Sequence, residues 1–203
     1  MTDVVVRKVT NTLAEAGVRV VCCGGAARDV YHDLFATPKD FDFITLYHPS
    51  GAEPIDDVQA EMVEWALYKD TSYTDIVVML NYDESSLQLH WVVKAKWNGY
   101  QIDIISPKRR CATPEDAVRS LDVTLNAAWI NADHHRDTLC CTLPGVYPSV
   151  LDDIAVRLLS PFACTQERIN YLRGKYPQYR YDINPAELIQ PTIISGGNPC
   201  EEN

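Results

Sequence analysis

Two spacings of apolar side chains alternate through the first half of the chain and set out an order of elements. Val5, Val6, Val9, Leu13 and Ala16 recur at helical intervals over residues 3–16 and stop at Gly17, a natural helix end. A short apolar run predicts a strand over 18–23, then a helix over 26–35 and a second strand over 41–46. The Pro, Gly and Asp-rich stretch from Tyr47 to Asp57 reads as a loop, leading into a helix over 57–68 and a strand over 75–80.

Strict alternation follows. Leu87, Leu89, Trp91, Val93, Ala95 and Trp97 share one face, with Gln88, His90, Lys94 and Lys96 on the other. Asn98-Gly99 then signals a tight hairpin, so Tyr100 to Ile105 returns antiparallel. Thr113-Pro114-Glu115-Asp116 carries an N-cap hydroxyl, a proline in the first turn and two acids, which together start a helix. Asn131 to Asp137, with His134 and His135, reads as a polar turn between strands, and two further helices are predicted over 149–159 and 165–175. The whole is a mixed α/β (α+β) pattern: a central mixed sheet flanked by helices over 1–145, a short helical C-terminal extension over 146–189, and a flexible tail over 190–203.

Composition narrows the class. With 46% apolar and 23% charged residues, 203 residues make an ordinary globular chain. It has no membrane-length apolar run and no signal-peptide pattern at its start, so the expected location is the cytoplasm and no membrane partner is expected. Its seven cysteines include two adjacent pairs and no C-x-x-C, which fits small buried side chains in a reducing compartment rather than disulfides or zinc. A net charge of −10 argues against a broad grip on nucleic acid, although Lys94-Lys96 with Lys108-Arg109-Arg110, and Arg168, Arg173, Lys175 and Arg180 among tyrosines, are local positive clusters.

The chemistry-bearing residues lie around the first two strands. Gly24 and Gly25 follow the apolar strand and open the next helix, so the backbone can turn tightly and offer unpaired N–H groups to phosphate. Asp40 and Asp42 stand two apart on the second strand, which sends both carboxylates to one face. A phosphate cradle beside a hard-cation site suits a Mg2+-triphosphate. Asp103 sits among Ile102, Ile104 and Ile105 in a returning strand, where a carboxylate is costly unless paired or metal-bound. It is therefore a candidate third ligand, against the alternative of an edge-strand residue facing water.

The joint pattern Gly24-Gly25-x-x-Arg28-Asp29, a helix, then Lys39-Asp40-x-Asp42 resembles the head domain of class II tRNA nucleotidyltransferases and bacterial poly(A) polymerases, within the polymerase-beta-like nucleotidyltransferase superfamily. Asp122-Val123-Thr124-Leu125-Asn126-Ala127 resembles that family's second motif, Arg-Arg-Asp-Phe-Thr-x-Asn-Ala, at Asp122, Thr124, Asn126 and Ala127. Ser120-Leu121 stand where the family has paired arginines, and Arg119 is the nearby basic residue.

The resemblance implies transfer of NMP from an NTP donor to an acceptor hydroxyl, an RNA or tRNA 3′ end, with release of pyrophosphate. Asp40, Asp42 and Asp103 would hold Mg2+. Gly24 and Gly25 would cradle phosphates with Arg28 and Lys39, while Arg119, Asp122 and Asn126 would complete the nucleotide site. Asp29 would orient Arg28 or cap its helix. Two alternatives stay open: transfer to a protein or small molecule, and a non-catalytic nucleotide binder of the same fold. A dinucleotide-binding fold is disfavoured because no G-x-G-x-x-G is present.

Overall fold

Each apolar run of the first half forms the element its spacing predicts. A computed structural model describes all residues except 34, 48–55, 81–88, 132–138, 152–153, 161–163 and 190–203. Helix α1 (Thr2–Glu15) buries Val5, Val6, Val9 and Leu13, and Gly17 follows it at φ +77°. Strand β1 (Arg19–Cys23), helix α2 (Gly25–His32), strand β2 (Asp40–Leu46), helix α3 (Asp56–Lys69) and strands β3 (Tyr73–Leu80), β4 (Leu89–Trp97) and β5 (Tyr100–Pro107) follow in order. Asn98 and Gly99 both adopt positive φ, as a two-residue turn matched to strand twist requires. Helix α4 (Pro114–Arg119), a 3-10 turn (Thr124–Asn126), strands β6 (Ala128–Ile130) and β7 (Cys140–Thr142) and helix α5 (Gln166–Lys175) complete the chain.

The strands form one mixed sheet in the order β3-β4-β5-β2-β1-β6-β7. Among the described strands only β2 and β5 pair in parallel, so Asp42 lies directly beside Asp103, and Cys23 at the end of β1 lies on its other side. Strand β5 is internal, which removes the edge-strand alternative for Asp103. Alternation seals one face: Phe41, Phe43, Trp91, Val93, Ala95, Ile102 and Ile104 are all buried in the core. Asp40, Asp42, Asp103 and Lys94 leave the opposite face. The helices α1 and α3 pack on one another and over β1, β3 and β4.

Residues 149–159 are a correction. In place of the predicted helix, Val156 bridges Tyr181 in parallel and Leu158 bridges Val123 in antiparallel fashion, with backbone hydrogen bonds from Thr124 N to Arg157 O (2.9 Å) and from Val156 N to Arg180 O (2.8 Å). Pairing on both sides satisfies this backbone better than an isolated short helix would. The 165–175 helix forms as expected, with the Thr165 hydroxyl accepting from Arg168 N. Tyr147, Val156, Cys164, Ile169, Leu172 and Tyr176 share the buried core of the preceding residues.

Cys22, Cys23, Cys111, Cys140 and Cys164 are buried free thiols, and burial pushes Cys22 and Cys23 well above the usual thiol range. No helix among the described residues is long and apolar enough to cross a membrane. The turn with His134 and His135, Leu87, most of the 47–57 loop and the tail from Gln190 lie outside the described residues.

At α4 the Thr113 hydroxyl accepts from Asp116 N while the Asp116 carboxylate accepts from Thr113 N. Thr113→Ala should therefore cost about 1 kcal/mol of stability, measured as a fall in the urea midpoint without a change in slope.

Candidate active site

The glycine turn is held by geometry that only glycine adopts readily. Gly24 lies at φ +70°, its N–H donates to Ala128 O (3.3 Å), and its carbonyl accepts from Arg28 N as the first bond of α2. The N–H groups of Gly25, Ala26 and Ala27 precede that bond and have no acceptor within the helix. A Cβ on Gly24 would stand 3.4 Å from Asp42 Oδ2 and 4.0 Å from Leu121 Cδ1. The turn and the carboxylate strand are in contact.

Asp42 is half-buried and has no hydrogen-bond partner among the described residues. Burial, then the Asp103 charge, pushes its carboxyl up to about 6, with Arg168 and Lys94 acting in the other direction and Asp40 adding to the rise. Asp40 is exposed at the start of β2. Asp103 is engaged already: its carboxylate accepts from Lys94 Nζ at 2.5 Å and from Gln101 Nε2 at 3.3 Å. Among the described residues no three His, Cys, Asp or Glu side chains converge in metal-holding geometry. Asp103 is thus held by Lys94, whereas neither Asp40 nor Asp42 has a cationic partner among the described residues. An unpartnered, half-buried carboxylate beside like charge fits a divalent cation, which relieves the repulsion.

Arg28 is only 3% exposed. Its Nε donates to Asp29 Oδ1 (2.9 Å) and Tyr176 Oη (3.2 Å), Nη2 donates to Asp29 Oδ1 (2.8 Å), and Nη1 donates to Asn126 Oδ1 (2.7 Å). These bonds turn the guanidinium inward beneath the glycine turn, where the sequence pattern had implied a direct phosphate contact. Asp29 orients it, as expected. Asp29 also receives Lys175 Nζ and Tyr176 Oη, both at 2.6 Å, and the Arg28 charge together with these donors outweighs burial and holds its carboxyl below the usual range.

The second motif is wired into the same network. Asn126 is 2% exposed, and its Nδ2 donates to Asp122 Oδ1 at 2.6 Å. Asp122 Oδ2 accepts from Arg168 Nε at 3.3 Å. Thr124 Oγ1 accepts from Arg157 N, so it fastens the motif to the extended 156–158 segment. Lys39 is exposed, and its carbonyl anchors Gln101 N. Arg119 is exposed at the end of α4, in no hydrogen bond or ion pair with Asp122, Asn126 or Arg28 among the described residues. Sequence reasoning missed Arg168, Lys175 and Tyr176 as site residues. Their only signal was a basic cluster among tyrosines, and the structure shows two of its cations paired with Asp122 and Asp29.

With that geometry in place, comparison with solved structures is informative. A tRNA nucleotidyltransferase complexed with a primer tRNA and an incoming ATP analog superposes with a TM-score of 0.53 at 16% identity, over 88% of this chain and 47% of that one. A Thermotoga maritima CCA-adding enzyme complexed with tRNA gives 0.52 at 18% identity over 93% and 39%, and a CCA-adding enzyme with ATP gives 0.54 at 17% over 88% and 39%. The fold is a nucleotidyltransferase fold. This chain spans less than half the length of the structures it matches. No family model matches the sequence, and no curated protein does.

The two glycines should respond differently to substitution. Gly24→Ala forces a side chain into the left-handed region against Asp42 and should cost roughly 1–2 kcal/mol. The Cβ of Gly25→Ala meets only Arg28 Nη2 at 3.6 Å, so that variant should unfold at the wild-type denaturant concentration.

Asp42 sets a pH dependence. Its folded pKa near 6 lies above the unfolded value of about 3.9, so the fold binds the extra proton and its stability falls as pH rises from about 4 to about 6. Asp42→Asn should accordingly be more stable than wild type at neutral pH in Mg2+-free buffer, by on the order of 1–2 kcal/mol. The gap should close below pH of about 4 in urea titrations.

Proposed function

We propose that this chain is a divalent-cation-dependent nucleotidyltransferase that moves NMP from an NTP to an acceptor hydroxyl. One observation carries the reading: the Gly24 turn, with its free helix N-terminal N–H groups, abuts the unpartnered carboxylate of Asp42 on the strand that also presents Asp40. An anion cradle and a hard-cation site then meet at one place, which is what an Mg2+-bound triphosphate needs.

Asp40 and Asp42 would hold Mg2+. When bound, Mg2+ neutralises the phosphates and lowers the pKa of an acceptor hydroxyl. The Gly25, Ala26 and Ala27 N–H groups bind phosphate oxygens, and Arg28 keeps that turn in shape from below. Lys94 fixes Asp103 beside Asp42, which limits how much like charge surrounds the reacting groups. The acceptor oxygen attacks the α-phosphorus in line, the bond to the bridging oxygen breaks, and pyrophosphate leaves.

For the acceptor we propose an RNA 3′ end, in keeping with the tRNA bound in two of the matched structures. A protein or small-molecule acceptor is the second reading. It is favoured by the net charge of −10 and by the pairing of Lys94, Lys96, Arg168 and Lys175 with carboxylates of this same chain.

The test is incubation with α-labelled NTPs, Mg2+ and, separately, RNA with a free 3′ hydroxyl and total cell lysate. Label should enter the acceptor with wild-type protein and fall to background with Asp40→Asn, with Asp42→Asn and with EDTA, while both variants keep their fold by circular dichroism. Transfer at the wild-type rate in folded Asp42→Asn contradicts the assignment. Label in RNA supports the first reading, and label in protein or a small molecule the second.

A further inference from the structure

Helix α3 carries apolar side chains on both of its faces. Its inner face buries Ala60, Val63 and Leu67 over β3 and β4. On the outer face Val58, Glu61, Trp65, Tyr68 and Lys69 fall three or four residues apart and form one exposed stripe. Val58 is 45% exposed, Trp65 62% and Tyr68 61%. Beside Trp65 the stripe borders an apolar cleft of about 270 Å³ that Met62 and Ala16 also line. The fold makes no use of this stripe, and a contiguous apolar patch left in water marks a contact surface.

The charges on the stripe say what covers it. Glu61 and Lys69 stand at equal distances along the chain before and after Trp65. Among the described residues Glu61 has no hydrogen bond or ion pair, and Lys69 has only the Trp65 ring, whose centroid lies 5.1 Å from its Nζ. The helix rise between them is about 12 Å, so they cannot pair with each other. A second α3 laid antiparallel, with Trp65 at the two-fold axis, answers both charges. Positions equally far from 65 then meet, so Glu61 faces Lys69 of the second copy and Met62 faces Tyr68 of the second copy. A two-fold axis makes each such contact twice, and the antiparallel arrangement also opposes the two helix dipoles.

We propose that this face binds a second copy of the chain, giving a symmetric dimer of antiparallel α3 helices with Trp65 on the axis and a Glu61–Lys69 pair on either side of it. The aromatic anchor at the centre and the charges at the rim follow the usual division of an interface. A single helix face falls short of the roughly 800 Å² per partner of a standard interface, which makes the dimer weak and dependent on protein concentration. None of the residues of the proposed nucleotide site lies on α3, so the inference is independent of that reading.

The test is analytical ultracentrifugation of wild type, Trp65→Ala, Glu61→Lys, Lys69→Glu and the double variant Glu61→Lys with Lys69→Glu, from about 1 μM to about 1 mM. All three side chains are exposed, and circular dichroism checks that each variant keeps its fold. Wild type should pass from monomer to dimer across that range. Trp65→Ala and each single charge reversal should weaken association by about tenfold or more, since the axis counts every loss twice. The double variant should recover the wild-type constant. Mixing Glu61→Lys with Lys69→Glu should give a heterodimer, because one chain then presents two cations and the other two anions. Wild type that stays monomeric throughout overturns the inference and leaves the face to a different partner. A dimer indifferent to Trp65→Ala, or single reversals rescued neither by the double variant nor by mixing, overturns it as well.

Discussion

A buried guanidinium must have every charge and direction answered, and the site is arranged around that demand at Arg28. Its partners come from three separate stretches: Asp29 beside it in α2, Asn126 in the 3-10 turn, and Tyr176 just past α5. Removing one partner from a buried charge typically costs 3–5 kcal/mol, roughly, far more than a surface pair is worth. The glycine turn, the second motif and the extension are therefore locked into one arrangement. His32 sits at the same junction, with Tyr147 Oη 3.2 Å from its Nε2 and the Tyr176 ring 4.6 Å away, and burial followed by the Arg28 charge lowers its pKa.

The sheet supplies the second constraint. Parallel pairing of β2 with β5 puts Asp42 beside Asp103, and antiparallel pairing of β4 with β5 puts Lys94 opposite Asp103. Register alone decides that Asp103 meets a lysine before it meets anything else. It equally decides that Asp42, between Cys23 and Asp103, is the carboxylate that bears the cost of burial. Arg28 is thus a buried, fully engaged guanidinium, and Asp42 a carboxylate left without a hydrogen-bond partner among the described residues.

Local signals made much of this legible in the sequence. The Asn98-Gly99 hairpin, the Thr113 cap and the glycine turn each depend on side chains adjacent in the chain, and each forms where its residues stand. The parity of Asp40 and Asp42 is likewise local. What eluded sequence reasoning depends on long-range pairing. Residues 156–158 have apolar spacing compatible with a helix, but Arg180 and Thr124 offer backbone partners on either side and the segment runs extended. Arg168 and Lys175 read only as a local positive cluster among tyrosines because their carboxylate partners lie 46 and 146 residues away. The inward turn of Arg28 was hidden for the same reason, since Asn126 and Tyr176 are 98 and 148 residues distant.

The most direct measurement of this account is a double-mutant cycle on equilibrium stability between Arg28→Ala and Asn126→Ala. Two residues in one buried network should show a coupling free energy of roughly 1–3 kcal/mol, so the double variant should be distinctly less destabilised than the sum of the singles. Additivity to within about 0.5 kcal/mol would show that Arg28 and Asn126 act independently. That result would contradict a site assembled around the buried guanidinium.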